Sequence, residues 1–401
     1  MSNSLRIGMV GYGFMGIAHT QAWRTVNRVF DLPLDATPAV LCGRDGASLA
    51  AAARKLGWQE TERDWRALVA RADIDLIDIC TPGDSHAEIA VAALAAGKHV
   101  LCEKPLANTV AEAETMAAAA TRASAAGVRA MCGFSYRRVP AVTHLRNLVA
   151  AGRIGTIRHV RAVYLQDWIV DPEFPLVWRL QKERAGSGAL GDIGAHIIDM
   201  TQFVTGERIV GVTGLTETFV RERPLPAASS GLSASADGGA HAPRGRVTVD
   251  DAAVILARLS GGGLATLEAT RFATGRKNGL RIEVNGSLGS LAFDLERLNE
   301  LEFYAGARAG TESGFTRILV TEPEHPYVAA WWPPGHTLGY EHAFTHQARD
   351  LIHAIANGVD PSPTFADALN VQVVLDAVER SAARNASWIE LPAARHAKEE
   401  T

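Results

Sequence analysis

Cysteine is scarce in this sequence, and its spacing excludes more than its number does. Cys42, Cys80, Cys102 and Cys132 form no CxxC pair, so a zinc ribbon and a thioredoxin-type redox site both fall away. Each closes a short apolar run, AVLC, IDLIDIC, KHVLC or VRAMC, which is where parallel strands end in an α/β sheet. They are expected as buried small hydrophobes in a reducing compartment. Cys102, next to the chemical strip described below, suits either that burial or partial exposure. An excess of basic residues is also missing. The formal net charge is −4, which gives no electrostatic reason for nucleic acid or an anionic membrane as partner. No apolar run is long enough to span a bilayer. Residues 1–6 lack the basic start and apolar core of a signal peptide, so a cytoplasmic protein is expected. There is no HExxH. Asp192, His196 and Asp199 lack a second histidine at helical spacing, and no metal is expected. His342 and His346 are four apart, with Glu341 beside them, and are read as an exposed or packed helix face.

What is present is a globular composition, 47% hydrophobic and 21% charged. At 401 residues the chain is too long for one ordinary core, and two domains are expected, 1–136 and 137–395. In the first, apolar runs at 5–10, 39–42, 73–80, 99–102 and 128–134 alternate with helical stretches from 14, at 47–55, 85–96 and 110–126. That rhythm predicts an α/β Rossmann domain with a doubly wound parallel sheet. Ser85 and Glu88 have the spacing of a capping box. After residue 136 the pattern changes. Helices are expected at 141–151 and 193–204. Strands are expected at 157–167, 209–219, 248–259, 263–272, 280–284, 290–294 and 301–304. Short turns such as SGGG and NGSLG separate several of them, which predicts a C-terminal α+β domain with a large, mostly antiparallel open sheet. Helical runs at 341–356 and 366–383 close the chain. Segment 223–246, rich in Ala, Ser, Gly and Pro, reads as a long mobile loop.

Gly11-Tyr12-Gly13-Phe14-Met15-Gly16 is a GxGxxG directly after a strand and directly before a helix. The first glycine permits a tight turn, the second lets backbone amides approach a pyrophosphate, and the third lets the helix pack on the strand. Gly11, Gly13, Phe14, Met15 and Gly16 are therefore candidate cofactor contacts. At the tip of the second strand, where a carboxylate reads the ribose in NAD enzymes, Cys42 and Gly43 stand instead. Arg44 follows, which suits a 2′-phosphate, stacking on adenine, or solvent, and Asp45 suits a helix cap. NAD or NADP stays open.

Cys102-Glu103-Lys104-Pro105 follows the strand at 99–102. A lysine at that end of the sheet lies where ligands bind, and it suits stabilisation of a developing alkoxide. Farther on, Asp192 and His196 are four apart and share a helical face after a glycine-rich approach. Histidine suits proton transfer near neutral pH. Asp192 suits either a helix cap or the orientation of His196 or of a substrate hydroxyl.

Together, GYGFMG, CEKP and GDIGAHIIDM, with Thr81-Pro82 and His86 in a TPxxxH segment, resemble the glucose–fructose oxidoreductase/inositol dehydrogenase (Gfo/Idh/MocA) family. The resemblance spans nearly the whole chain. It implies that Lys104, Asp192 and His196 carry catalysis, and that Thr81, Pro82, Glu103 and Lys104 line a nicotinamide pocket. His86 suits either that pocket or packing in the first turn of its helix. A narrower likeness lies in YLQDW at 164–168, GSGALGDI at 186–193, DMTQFVTGE at 199–207, VDD at 249–251, EATR at 268–271, YRRVPAV at 136–142 and HPY at 325–327. It implies oxidation of a pyranose ring hydroxyl to a keto sugar, at C3 of levoglucosan or a related glucoside. Tyr136, Gln166, Trp168, Trp178 and Arg179 are then candidate sugar contacts beside Lys104, Asp192 and His196. Aromatic faces suit C–H patches, and Gln or Arg suits hydroxyls. Core packing of the tryptophans and a surface ion pair at Arg179 are the structural alternatives. An inositol or polyol dehydrogenase, a glycosidase acting through bound NAD, and a non-catalytic dinucleotide-binding regulator stay open as other functions. An open-faced second sheet needs covering, so a homodimer or homotetramer is expected.

Overall fold

The computed structural model describes residues 4–226, 243–306, 311 and 313–392. Six strands form the first sheet: β1 (Ser4–Val10), β2 (Asp35–Cys42), β3 (Glu60–Glu62), β4 (Leu76–Ile79), β5 (His99–Cys102) and β6 (Ala130–Cys132). Between them run α1 (Phe14–Val29), α2 (Gly46–Leu56), α3 (Trp65–Ala70), α4 (His86–Ala95) and α5 (Val110–Ala125). Every pairing is parallel, in the order β3-β2-β1-β4-β5-β6. The chain reverses its direction of winding between β1 and β4, and ligands of such sheets sit at that reversal. All but the edge strand β3, which is Glu60-Thr61-Glu62 and largely exposed, read as apolar runs because both faces are covered. Ile7, Met9, Leu41 and Leu101 pack on one side with Trp23 of α1. Val40, Ile77, Ile79 and Val100 pack on the other with Ile89 and Leu94 of α4.

The second half adds α6 (Pro140–Ala150), β7 (Ile157–Leu165), α7 (Lys182–Ala185), α8 (Ala195–Thr205), β8 (Ile209–Glu217), β9 (Glu222–Pro224), β10 (Arg244–Arg246), β11 (Ala252–Leu259) and β12 (Leu264–Thr270). It continues with β13 (Gly279–Gly286), β14 (Gly289–Asp294), β15 (Glu300–Ala305), β16 (Thr316–Leu319), α9 (His342–Asn357), α10 (Phe365–Ala382) and β17 (Ile389–Glu390). Nine of these strands make one sheet in the order β16-β15-β14-β13-β7-β12-β11-β8-β17. All neighbours are antiparallel except β7 with β12. Strand β11 alternates buried and exposed residues along its length. Ala253, Ile255 and Ala257 join the core, while Val254 and Leu256 lie exposed with Leu215 and Leu264. One face of this sheet is thus open. Helix α10 packs on both β8 and α5, so it lies between the two sheets. Helix α9 returns to the first sheet and buries Phe344, Ala348, Leu351 and Ile352 beside Leu5, Ile7 and Trp23.

Several expectations change in the structure. The box at Ser85 and Glu88 does not form. Helix α4 starts from a 3₁₀ turn, Gly83–Ser85, where Ser85 Oγ lies 2.7 Å from Thr81 Oγ1 and 2.9 Å from the Pro82 carbonyl. Glu88 pairs with Arg66 instead. Strand β11 begins at Ala252 and not at 248, because Asp250 and Asp251 turn the chain. The Asp250 carboxylate accepts the Gly188 and Leu190 amides at 2.7 Å each, and Asp251 accepts the Phe219 amide at 2.8 Å. The ends of segment 223–246 are ordered structure, since β9 and β10 pair antiparallel. Arg223 is fully buried there and donates to the carbonyls of Ile169 (2.6 Å) and Asp171 (2.7 Å). Residues 227–242 of that segment, and 393–395 of the expected second domain, lie outside the described residues. His346 is packed: its Nε2 accepts from Trp331 Nε1 at 2.8 Å, and its Nδ1 donates to the Arg138 carbonyl at 2.9 Å. No helix of the described residues is long and apolar enough to cross a membrane.

Arg137, just after the first sheet, meets Asp199 of α8 with Nε 2.9 Å from Oδ2, and both side chains are buried. Removing one partner strands a charge in a dry site. Arg137→Met should therefore cost about 3–5 kcal/mol in urea denaturation. The double variant with Asp199→Leu should recover most of that loss, because no charge is then left unpaired.

Candidate active site

A cleft of about 1720 Å³ opens at the C-terminal ends of β1, β2, β4 and β5 and runs to β7 and the turn before α8. Every candidate site residue from the sequence lies on its wall except Gly16. At one end Gly11 has φ of +99°, and a Cβ there would stand 2.7 Å from the Cys80 carbonyl oxygen. A Cβ on Gly16 would stand 2.3 Å from the Gly11 oxygen, so Gly16 lies behind the turn and supports it. Gly13 differs from both, since a Cβ there would meet nothing within 4 Å. Helix α1 starts at Gly13 with no side-chain cap and no acidic residue in its first turn. Its unpaired amides and positive end open into the cleft beside Phe14 and Met15. That is the environment a pyrophosphate requires.

At the tip of β2, Asp45 caps α2 by accepting the Ser48 amide at 2.8 Å. Arg44 is exposed on the wall. Arg63 joins it and donates to the Arg44 carbonyl at 3.3 Å. Thr81 and Pro82 follow β4. His86 sits in the first turn of α4 and is almost fully buried, with Nδ1 3.0 Å from the Pro105 carbonyl and Nε2 2.9 Å from the Thr81 carbonyl. It thereby ties the turn after β4 to the turn after β5.

Lys104, Asp192 and His196 meet in the middle of the cleft. Lys104 Nζ donates to the Asp192 carbonyl at 2.7 Å and lies 3.5 Å from its Oδ1. Arg271 Nη1 lies 3.7 Å from Oδ2. Asp192 is no helix cap: residues Leu190–Gly194 form a π-helical turn without a side-chain cap, and the nearby amides are taken by Asp250. Burial pushes the Asp192 carboxyl up, but Lys104, Arg179 and Arg271 outweigh it and hold the pKa at about 2. The carboxylate is paired with these cations rather than with the His196 ring. His196 lies under Tyr136 at 4.6 Å between centroids, with the Phe134 ring edge-on at 6.1 Å. Burial first, and the Lys104 charge second, push its pKa well below the usual imidazole value, against the pull of Asp192. His196 is a neutral base at pH 7.

Beyond this centre a chain of hydrogen bonds runs along the wall. Trp168 Nε1 donates to Gln166 Oε1 at 3.1 Å, and Gln166 Nε2 donates to Asn278 Oδ1 at 2.9 Å. Tyr164 donates to the same oxygen at 2.7 Å, and the Tyr136 hydroxyl lies 2.8 Å from that of Tyr164. Trp178 carries the Arg179 guanidinium 4.3 Å over its ring. Trp178 and Arg179 are half-buried on the wall, and Arg179 makes no surface ion pair among the described residues; Trp168 lines the wall and also packs against the small buried cluster around Ile169 and Leu176.

Asp199 lies off this wall on Arg137, so Asp192, His196 and Asp199 do not gather as a ligand set. Another trio converges: the ligand-type atoms of His19, Asp78 and Cys80 lie within 4.8 Å of one another, and they already hydrogen-bond among themselves. The partly exposed thiol is Cys80 and not Cys102, because β5 runs between neighbours on both sides and buries Cys102 completely. Sequence reasoning missed Tyr164, Asn278, Arg271, Arg63, Tyr340 and His19. Tyr164 and Arg271 lay inside the noted runs YLQDW and EATR. Asn278 and Tyr340 reach the cleft only through the tertiary fold, and no local signal marks them.

Residues 5–132 match the oxidoreductase family with an NAD-binding Rossmann fold, and residues 142–292 match the Gfo/Idh/MocA C-terminal domain. The chain belongs to the Gfo/Idh/MocA family of NAD-dependent oxidoreductases. It is 40% identical to the levoglucosan dehydrogenase of Pseudarthrobacter phenanthrenivorans over 97% of this chain and 98% of that one. It resembles the crystal structure of an oxidoreductase domain protein from Kribbella flavida with a TM-score of 0.92 and 63% identity, over 98% of this chain and all of that one. It is also similar to levoglucosan dehydrogenase in complex with NADH and levoglucosan, with a TM-score of 0.90 and 38% identity, over 97% of this chain and 100% of that one.

Two outcomes follow from this geometry. Gly13→Val should melt with the wild type, since its side chain meets open space, yet should weaken NADH binding in a fluorescence titration by at least about tenfold. Folding strips the proton from His196, so the unfolded chain binds that proton more readily and stability falls as pH drops below about 6.5. His196→Gln should lessen the fall in Tm between about pH 7 and 5.

Proposed function

We propose that this protein oxidises one ring hydroxyl of a neutral pyranose, C3 of levoglucosan or a related glucoside, to a keto sugar with NAD as acceptor. The observation that carries the reading is the meeting of Lys104, Asp192 and His196 between two unlike arms of one cleft. One arm offers helix amides to a pyrophosphate. The other offers aromatic faces and amide and phenol groups, which suit a sugar. The likeness to levoglucosan dehydrogenase along the full chain supports the choice of sugar. So does the charge of the wall, where Arg184 is paired with Asp84 at 2.6 Å and Lys277 with Asp167 at 2.8 Å. Among the described residues of the sugar arm that leaves Arg179 as the cation without an ion pair, and Arg44 and Arg63 stand at the cofactor end.

Bound NAD supplies the two-electron acceptor and takes hydride from the ring carbon. His196, neutral beforehand, receives the hydroxyl proton. Lys104 Nζ donates to the reacting oxygen and stabilises its developing negative charge. Asp192 holds Lys104 in place and balances Arg271. Thr81, Pro82, His86 and Glu103 form the wall beside the nicotinamide. Tyr136, Gln166, Trp168, Trp178 and Arg179 line the sugar arm. On the same reading, residues 1–136 bind cofactor and 137–395 bind substrate and self-associate. The open face at Leu215, Val254, Leu256 and Leu264 is the surface that pairs copies into a homodimer or homotetramer, a state that light scattering would read directly. The thiols, all free, suit the cytoplasm.

The test is turnover of levoglucosan, a glucoside and myo-inositol, each with NAD and with NADP, and NMR of the product. NADP belongs in the panel because Arg44 and Arg63 lie on the wall just past the tip of β2, and arginines there suit a 2′-phosphate. A 3-keto sugar from levoglucosan or the glucoside is expected. Turnover of inositol alone would replace the sugar assignment, and release of aglycone without net NADH would replace the reaction. His196→Ala and Lys104→Ala should each lower kcat by about 10²–10⁴-fold and spare NADH binding. Trp168→Ala should raise KM for sugar more than for cofactor.

A further inference from the structure

Behind the cleft wall lies a buried group of side chains that the proposed reaction does not use. His19 of α1 is almost fully buried, and both ring nitrogens face carboxylates. Nδ1 lies 2.9 and 3.1 Å from the two oxygens of Asp78, and Nε2 lies 3.0 Å from Glu103 Oε1. Asp78 Oδ2 also accepts the Trp23 indole N–H at 2.7 Å. An ionised carboxylate only accepts, so a ring held at both ends by carboxylates donates from both nitrogens and is an imidazolium. Burial alone would favour the neutral ring, yet the Asp78 carboxylate, by its charge and its hydrogen bond, outweighs it and keeps the pKa well above the ordinary value. Glu103 is buried too, reaches the cleft wall, and takes the Lys104 amide on Oε2 at 3.3 Å. A Cβ on Gly133 would lie 2.6 Å from Glu103 Oε1, so the carboxylate is fitted closely on that side as well.

We infer that His19 is a positioning residue: charged and clamped between Asp78 and Glu103, it bolts the helix that opens at the glycine turn to the strand end that carries Lys104. The inference rests on the dehydrogenase reading above. Its physical content is a rigid link. Helix α1 receives the cofactor phosphates at its N-terminus, and one turn and a half along, the same helix fixes Glu103. Glu103 fixes the peptide of Lys104, and Lys104 reaches Asp192. Seating of the cofactor and placement of the lysine are thereby one geometric problem. A shift of about 1 Å at a reacting group costs on the order of 10²-fold in rate, so a loosened Glu103 should show in kcat.

The test compares His19→Gln, Glu103→Gln and the double variant in steady-state kinetics on the sugar that the wild type turns over, with NADH affinity and thermal melts measured alongside. His19→Gln is expected to lower kcat by about 10- to 100-fold while KM for sugar and Kd for NADH stay within about threefold. The double variant should lose no more than the worse single one, because both break the same link. Losses in kcat that add, or a His19→Gln enzyme with wild-type kcat, would overturn the inference. Asp78→Asn, nearly the same shape but unable to hold the imidazolium, should give the same split of kcat from KM, and an unchanged kcat there would overturn it equally. A wild-type protein that turns over no sugar with either cofactor would overturn instead the reading on which the inference stands.

Discussion

Lys104 leaves the end of β5 in the parallel sheet, and Asp192 sits in the π-helical turn that begins α8 under the antiparallel one. Their contact is a polar bridge between the two halves of the cleft at its centre. A carboxylate this enclosed would be costly without cations, and Lys104, Arg179 and Arg271 together make it strongly acidic. The same ammonium acts on His196, where it helps burial keep the ring neutral. The Lys104 ammonium therefore helps keep Asp192 ionised and His196 neutral, and holds open a centre with a donor and a base on the same wall.

Five strands of the parallel sheet were legible in the sequence because a strand covered on both faces must be continuously apolar, and its end is marked by glycine or by a catalytic turn; the exposed three-residue edge strand β3 has no such run and was missed. GYGFMG and CEKP stood out for that reason. The second sheet was legible from alternation, as in β11, but its short edge strands β16 and β17 were not. TRIL is too short to show a period, and a two-residue strand has none. The capping box at Ser85 failed because its hydroxyl turns back to Thr81 and Pro82, a competition that spacing cannot reveal. Asp192 looked like a cap for the same reason, and only the carboxylate of Asp250 on the Gly188 and Leu190 amides shows which acid does that work. His19 was invisible as a functional residue. It is a histidine on an amphipathic helix, and its partners lie 59 and 84 residues away.

The sugar arm of the cleft has a character that composition hides. Aromatics are only 6% of the chain, yet Tyr136, Tyr164, Trp168, Trp178 and Tyr340 all face this one space. The polar atoms of Tyr136, Tyr164 and Trp168 are linked through Gln166 and Asn278, so that part of the wall is preorganised before a ligand arrives. A wall of this kind gains selectivity from hydroxyl geometry, because a sugar that misplaces one hydroxyl leaves a buried donor or acceptor unpaired.

Helix α9 covers the face of the first sheet on which Leu5, Ile7 and Trp23 lie, yet it is made some three hundred residues later. During synthesis the glycine turn, all six parallel strands and most of their helices leave the ribosome with that apolar face covered only by α1 and α2. The chain must hold the remainder through the making of all but the last strand of the second sheet. The order of translation thus opposes early completion of the first domain, and a ribosome stalled before residue 342 would present a nearly finished nucleotide-binding sheet as a sticky surface for chaperones.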